Sequence, residues 1–331
     1  MNRYVCAALL PLLFVSSWVF AGPAAWTGQG PFGGMVNRVV VDPMVPSRLY
    51  ATTRNGFFRS VDGGLSWQRA ETGLLQPEPI RAVIALDPNV ANALWLVDDA
   101  GRLYRSTDAA AHWSPTGDVA PGGVYTVTDL IAVNDAPGVL YESSYSNGLR
   151  KSVDGGAAFN TLDTTVDGHV LNIFTHLAAD PTDPARLIAT STTDCAPGSP
   201  QTPVYRSIDA GASWAAVSVG GCNGGYHGNY TQIVFAPAGS DRVYALLDSM
   251  LFRSNDAGAS FAATGLSANA VAVSPASADV LWLASVIYSS YESGFILQKS
   301  ADGGTSATTF TTGLSSIGSA VPSVVSIAIH P

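Results

Sequence analysis

From "RVVVDP" at residue 38 onward, short apolar runs recur along this chain in a fixed order of four. An apolar stretch ending in Asp-Pro or a relative comes first: "RVVVDP", "AVIALDP", "HLAADP", "QIVFAP", "AVAVSP". A second follows with a basic residue or a small polar cluster before it, as in "SRLYATT", "NALWLVD", "ARLIATS", "DRVYALL" and "DVLWLAS". A third ends in Arg-Ser, as in "GFFRS", "GRLYRS", "PVYRS" and "MLFRS", and a fourth leaves from an aromatic residue. Runs of this length, rich in Val, Leu and aromatics and bounded by Gly, Pro, Asn and Asp, predict β-strands rather than helices. No amphipathic helix of normal length is legible after residue 22. The four strands are named a, b, c and d.

Between c and d the chain writes "SVDGGLSW", and then "STDAAAHW", "SVDGGAAF", "SIDAGASW", "SNDAGASF" and "SADGGTSATTF". The aspartates are Asp62, Asp108, Asp154, Asp209, Asp256 and Asp302, at intervals of 46, 46, 55, 47 and 46 residues. A period near 46 residues matches one four-stranded propeller blade. The motif has a physical logic: glycines supply positive φ for a short hairpin, and the Asp and Ser side chains take up backbone N–H groups across the turn. Trp67, Trp113, Phe159, Trp214 and Phe261 are then expected to pack between adjacent sheets. The box aspartates read as structural rather than catalytic. Two boxes depart from the pattern, with Ala110 in place of glycine in the second and the aromatic of the sixth delayed to Phe310.

The S-x-D-x-G-x-x-[WF] signature resembles the Asp-box, or bacterial neuraminidase repeat, of sialidases, sortilin, xyloglucan-degrading hydrolases and photosystem II assembly-factor propellers. The resemblance implies an all-β propeller of four-stranded blades, six with an Asp-box. An N-terminal "AWTGQG" resembles a d strand and a C-terminal "VVSIAIHP" an a strand, so an incomplete seventh blade is expected, the alternative being six closed blades with accessory ends. One propeller domain, residues 22–331, is expected behind a secretory signal at residues 1–21, where Arg3 precedes an apolar run and Val19 and Ala21 offer a cleavage site before Gly22. The product is expected to be a secreted or periplasmic monomer, not an integral membrane protein.

Charge narrows the partners. Removing Arg3 from the 16 basic residues leaves 15 against 25 acidic ones, and such a surface repels phosphate backbones, so no nucleic acid partner is expected. No P-loop, dinucleotide fingerprint, G-x-S-x-G elbow or C-x-x-C is present, and no cofactor is expected. The three arginines of a sialidase clamp find no counterpart, because Arg59, Arg105, Arg206, Arg253 and Arg48, Arg186, Arg242 fall at repeat positions and Arg38, Arg54, Arg69, Arg81, Arg102 and Arg150 show no "RIP"-like signature. Only four of the 25 acidic residues are Glu. What remains outside the repeats includes Asp98, Asp99, Asp129, Glu142, Asp167, Asp248 and Glu292, and no glycosidase pair can be chosen among them.

If a–b and c–d turns share one face, the boxes occupy it and the b–c and d–a loops hold the other. Insertions gather on that second face. Loops there supply the candidate ligand contacts Tyr145, His169, His176, Tyr226, His227, Asn229, Tyr230, Tyr288, Tyr291 and Glu292, whose aromatic, amide and imidazole groups suit a glycan or an extended peptide. The competing reading is that these tyrosines only cover insertions. Cys195 and Cys222 fall in two loops of that face and are expected to form a disulfide in an exported chain. The histidines lack H-x-H or H-E-x-x-H spacing, so no metal site is expected. The expected function is an exported, non-enzymatic propeller binding a protein or carbohydrate ligand, with a secreted glycoside hydrolase as the alternative.

Overall fold

The computed structural model describes residues 36–75, 83–98, 100–119, 127–134, 137–145, 147–191, 204–220, 232–237, 239–288, 293–310 and 327–329. Within them the chain is all-β and contains no helix. Blade 1 comprises β1 (Val36–Val41), β2 (Leu49–Thr53), β3 (Gly56–Ser60) and β4 (Gln68–Arg69). Blade 2 comprises β5 (Val83–Leu86), β6 (Leu94–Val97), β7 (Arg102–Ser106) and β8 (Ser114–Val119). In blade 3, β9 (Val127–Ala132), β10 (Leu140–Ser144), β11 (Leu149–Ser152) and β12 (Asn160–Thr161) are followed by a small hairpin, β13 (Thr165–Val166) and β14 (His169–Val170). Blade 4 holds β15 (His176–Ala179), β16 (Leu187–Thr190), β17 (Val204–Ser207) and β18 (Ala215–Ala216), and β19 (Ser218–Gly220) comes next. Blade 5 holds β20 (Gln232–Phe235), β21 (Val243–Leu247), β22 (Met250–Ser254) and β23 (Ser260–Ser267). Blade 6 holds β24 (Ala270–Val273), β25 (Leu281–Tyr288), β26 (Ser293–Ser300) and β27 (Thr308–Phe310).

Each blade is a four-stranded antiparallel meander in sequence order, and the six blades form a six-bladed β-propeller, with β19 added as a fifth strand to the sheet of blade 5. The d strand of blade 4 splits, and β19 crosses over to run parallel along β23 of blade 5. Inner strands β5, β9, β15, β20 and β24 meet in succession around the hub. Of the two stretches read as a seventh blade, "AWTGQG" lies outside the described residues, while Ile327 packs against Ala270, Ala284 and Leu297 of blade 6.

The period-2 alternation of the strands distributes their side chains to two different interblade cores. On β6, Leu94 and Leu96 pack with Tyr50 and Phe57 of blade 1, while Trp95 and Val97 pack with Leu130 and Leu140 of blade 3. The same logic puts Tyr141 against Leu187 and Tyr205, Ile188 against Ile233 and Val243, and Tyr244 against Leu281 and Leu283. Every blade therefore needs its neighbours, and the fold is stable as a ring segment rather than as separate sheets.

The boxes take one geometry six times. In the first, Gly64 N–H donates to Ser60 Oγ at 2.9 Å, and Ser60 Oγ donates to Asp62 Oδ1 at 2.8 Å. Asp62 Oδ1 also accepts the Ser66 N–H at 2.9 Å, closing the turn. The N–H after each Asp then crosses to the a–b turn: Gly63 to the Ser47 carbonyl, Ala109 to Asn92, Gly155 to Gly138, Ala210 to Ala185, Ala257 to Asp241 and Gly303 to Asp279. That contact puts the a–b turns and boxes on one face. Asp42, Asp87 and Asp180 cap the a–b turns themselves, each carboxylate accepting the N–H groups two and three residues on.

The irregular boxes fold like the rest. Ala109 and Ala110 both adopt positive φ, 59° and 62°. In the sixth box Ser306 closes on Asp302 as usual, and Ala307 stands at the aromatic position, packed into the core of blades 5 and 6. Phe310 instead lies on β27, 5.6 Å from the Trp282 ring. Trp113, Trp214 and Phe261 are buried, whereas Trp67 and Phe159 are half-buried, the latter beneath the Arg150 guanidinium. Neighbouring blades are also fastened through the box: Arg59 donates to the Ala109 carbonyl, Arg206 to Ala257 and Arg253 to Gly303, so the basic residue before one box grips the next.

Two outcomes are expected. A Cβ at Gly258 would meet Ile188 Cδ1 at 2.2 Å with φ at +81°, whereas one at Gly63 meets nothing within 4 Å. Gly258→Ala should cost about 2–4 kcal/mol in denaturant unfolding and Gly63→Ala about 1 kcal/mol. All six box carboxyls are held below the usual range, Asp62 at about 2 chiefly by the Ser66 hydroxyl and Asp108 at about 2 chiefly by the His112 ring. A depressed carboxyl contributes stability above its unfolded pKa, so the melting temperature should fall as pH drops from ~4 toward ~2.

Candidate functional site

Each inner strand starts at the face opposite the boxes and runs toward them. Counting back four residues from the a–b turn position gives Arg38 on β1, Val83 on β5, Asp129 on β9, His176 on β15, Gln232 on β20 and Ala270 on β24. These residues form one level of the hub, at its mouth on the loop-rich face. Four of the six carry polar side chains.

Asp129 is the centre of the cluster. It is only 1% exposed, yet ionised: burial by itself would push its carboxyl up, and the charges of Arg38 and His176 outweigh that, holding it well below the usual carboxylate range. Arg38 Nη1 donates to Asp129 Oδ1 at 2.8 Å, reaching past blade 2, and His176 Nδ1 pairs with Oδ2. The Leu130 N–H adds a bond to Oδ1 at 3.1 Å. Three blades are thereby tied by one carboxylate. On the other side Gln232 clasps β24, its Nε2 donating to the Val271 carbonyl at 2.9 Å and its Oε1 accepting the Val271 N–H at 3.0 Å.

The strand that carries Arg38 is irregular at this point. Val36 pairs with Thr53 and Arg38 with Thr52, so Asn37 is the extra residue of a β-bulge. Asn37 Nδ2 and Thr52 Oγ1 are both buried, and neither finds a hydrogen-bond partner among the described residues.

Beside the mouth, the loop from blade 3 to blade 4 folds over the b–c turn of blade 3. Gly148 N–H donates to the Asn172 carbonyl at 3.1 Å and Phe174 N–H to the Ser144 carbonyl at 2.8 Å, while Thr128 Oγ1 bonds the Phe174 carbonyl at 2.9 Å. This brace presents Tyr145, Val170 and Ile173 to solvent, 46%, 63% and 43% exposed.

The sequence-derived candidates divide accordingly. Tyr145 and His169 are exposed on this brace, and His176 is turned inward onto Asp129. Tyr288 is the last residue of β25. Tyr226, His227, Asn229, Tyr230, Tyr291, Glu292, Cys195 and Cys222 lie outside the described residues, as does the segment 1–21. Other carboxylates serve local structure. Asp98 accepts from the Ala100 and Arg102 N–H groups and from the Arg102 guanidinium and Tyr104 hydroxyl. Glu142 forms a buried two-point pair with Arg150. Asp167 and Asp248 occupy tight turns with φ of 51° and 48°. Arg38 and Asp129 escaped the sequence reading as partners; the signal was their shared position four residues before the turn, where blades 2 and 6 carry Val83 and Ala270.

No family model matches the chain. Among curated proteins it is similar to a probable oligoxyloglucan-reducing end-specific xyloglucanase of Neosartorya fischeri, 25% identical over 181 residues, which are 50% of this chain and 21% of that protein. It is likewise 26% identical over 230 residues to a xyloglucanase of a Paenibacillus species, covering 57% of this chain and 21% of the relative. The chain spans about a fifth of the length of these curated relatives. Of solved structures, the GH74 xyloglucanase from Xanthomonas campestris superposes with a TM-score of 0.64 at 21% identity, over 87% of this chain and 47% of the enzyme. YCF48 from Cyanidioschyzon merolae does so at 0.59 and 14% identity, over 86% of this chain and 88% of that one. Likeness at these identities shows the propeller fold.

Removing one partner from a buried ion pair leaves the other uncompensated. Arg38→Met should destabilise the protein by about 2–4 kcal/mol, less than for a fully buried pair because Arg38 keeps 35% exposure. The double variant Arg38→Met, Asp129→Leu should recover most of that loss in chemical denaturation.

Proposed function

We propose that this chain is an exported Asp-box propeller that binds a partner, protein or glycan, through its loop-rich face and performs no chemistry on it. One observation carries the reading. The polar groups of the box face are consumed by the turn repeats, whereas the opposite face gathers a charged hub mouth and a braced rim of exposed Tyr145, Val170 and Ile173. Exposed apolar side chains gathered beside polar groups are what a docking surface presents. The aliphatic members, Val170 and Ile173, favour a polypeptide over a sugar ring, whose faces pair with aromatic planes. Among fold neighbours of similar length, one is YCF48 bound to D1 peptide, a TM-score of 0.56 at 16% identity over 85% of this chain and 83% of that one.

A second reading has its own support. The curated relatives are xyloglucanases, so the chain can also be taken as a glycoside hydrolase or a part of one.

The two are separated by phage-displayed peptide selection on the immobilised full chain, run beside a reducing-sugar assay on xyloglucan and sialosides. Selected peptides should bind saturably, and Tyr145→Ala with Ile173→Ser should weaken them at least tenfold, about 1.4 kcal/mol, with the melting temperature unchanged. Sugar release that disappears in Glu292→Gln or Asp167→Asn would establish the hydrolase instead.

A further inference from the structure

We propose that the hub mouth is a carboxylate subsite: Arg38 and His176 contact an acidic group of a polypeptide partner, and Asp129 is the positioning residue for both. The proposal rests on the binding reading above and names the chemistry at its centre.

The first argument is the layering of charge. Asp129 is 1% exposed, whereas Arg38 is 35% and His176 17% exposed. A ligand entering the mouth therefore meets the cationic and imidazole groups, with the anion beneath them. Asp129 Oδ1 takes the guanidinium and Oδ2 takes His176 Nδ1, which fixes the orientation of both. Nδ1 is engaged by Asp129 and also lies 3.0 Å from the Leu177 N–H, so Nε2 is the ring nitrogen left to meet a ligand, and it donates to a carboxylate in the imidazolium form.

The second argument is the bulge. It sets Asn37 and Arg38 against the single residue Thr52, leaving Asn37 Nδ2 and the fully buried Thr52 hydroxyl with no partner among the described residues. Unsatisfied buried polar groups cost about 1–3 kcal/mol each. Both groups sit beside Arg38, on its own strand and on the residue it pairs with, so the bulge that leaves them unpaired also sets where the guanidinium, a donor matched to an acceptor-only carboxylate, emerges. Such bulges re-aim side chains next to sites.

The third argument is the setting. The whole chain carries a formal charge of −9, so an acidic group has no general attraction to this surface, and a donor-lined mouth is a local exception. The apolar rim is fastened to it through Phe174 and Thr128, so an acidic residue seated in the mouth leaves its apolar neighbours over Tyr145 and Ile173.

The test is a titration of the full chain with acetate at constant ionic strength, with chloride as the control, followed by NMR of the histidine rings and backbone amides. The His176 ring and the Asn37 and Thr52 amides should shift saturably, with dissociation on the order of millimolar for so small a probe. Arg38→Lys keeps a cation for Asp129 but loses the planar fork, and His176→Gln keeps a donor to Asp129 but loses the imidazole. Each should weaken acetate at least tenfold without lowering the melting temperature. Absence of a saturable shift, equal binding by both variants, or an ordered water filling the Asn37 and Thr52 positions while acetate binds elsewhere would overturn the subsite. Peptides that bind the loop-rich face equally well after Glu→Gln and Asp→Asn replacement would also overturn it while leaving the binding reading intact. If no peptide binds at all, the reading itself falls.

Discussion

A hairpin that reverses through two consecutive residues of positive φ turns its backbone N–H groups into the bend, where a neighbouring strand cannot reach them. In this chain a buried serine hydroxyl and an aspartate carboxylate accept those groups six times over, as Ser60 and Asp62 do for Gly64 and Ser66. The rest of the architecture follows from that satisfaction. Once the bend is closed locally, the N–H after the aspartate is free to cross to the a–b turn, and the carbonyls of the bend are free to accept from the preceding blade. One small polar device thus sets the hairpin, the face and the contact between blades.

Adjacent blades share cores that neither could bury alone. The aromatic of a second strand contributes twice, through its ring and through its polar end: Trp95 Nε1 donates to the Gly155 carbonyl and the Tyr141 hydroxyl to Ala210, each in the next blade's box. A buried Tyr or Trp usually finds a partner for its polar atom, and the next blade's box supplies one for Trp95 and Tyr141. Because these contacts cluster toward the box face, the opposite loops are relieved of the task of holding the ring together. They are free to vary, which is why insertions accumulate there.

The hub follows a different economy. A carboxylate as enclosed as Asp129 gains its ionised state only through Arg38 and His176, and such a cluster contributes less to stability than an apolar core of equal volume. Blades 2 and 6 show the apolar solution at the same level, with Val83 and Ala270. Keeping polar groups in blades 1, 3 and 4 makes sense where a site needs oriented donors, and it joins the polar mouth to the rim carrying Tyr145 and Ile173 through a continuous set of backbone and hydroxyl bonds.

Much of this was legible in the residues themselves. The 46-residue interval, the strand alternation and the Ser and Asp of each box are local facts, because hairpin closure depends on side chains two to four positions away. For the same reason box six folds normally although its aromatic is displaced: Ser300, Asp302 and Ser306 suffice, and Ala307 fills the core. The mouth was not legible in this way. Arg38, Asp129 and His176 are separated by 91 and 47 positions, and only closure of the blades around the hub brings their charges together. Sequence alone placed His176 in an open loop with His169, since a histidine at the start of an inner strand looks the same in one dimension whether it faces solvent or a buried carboxylate. Tertiary structure decides that difference, because the partner that desolvates and orients the ring comes from another blade.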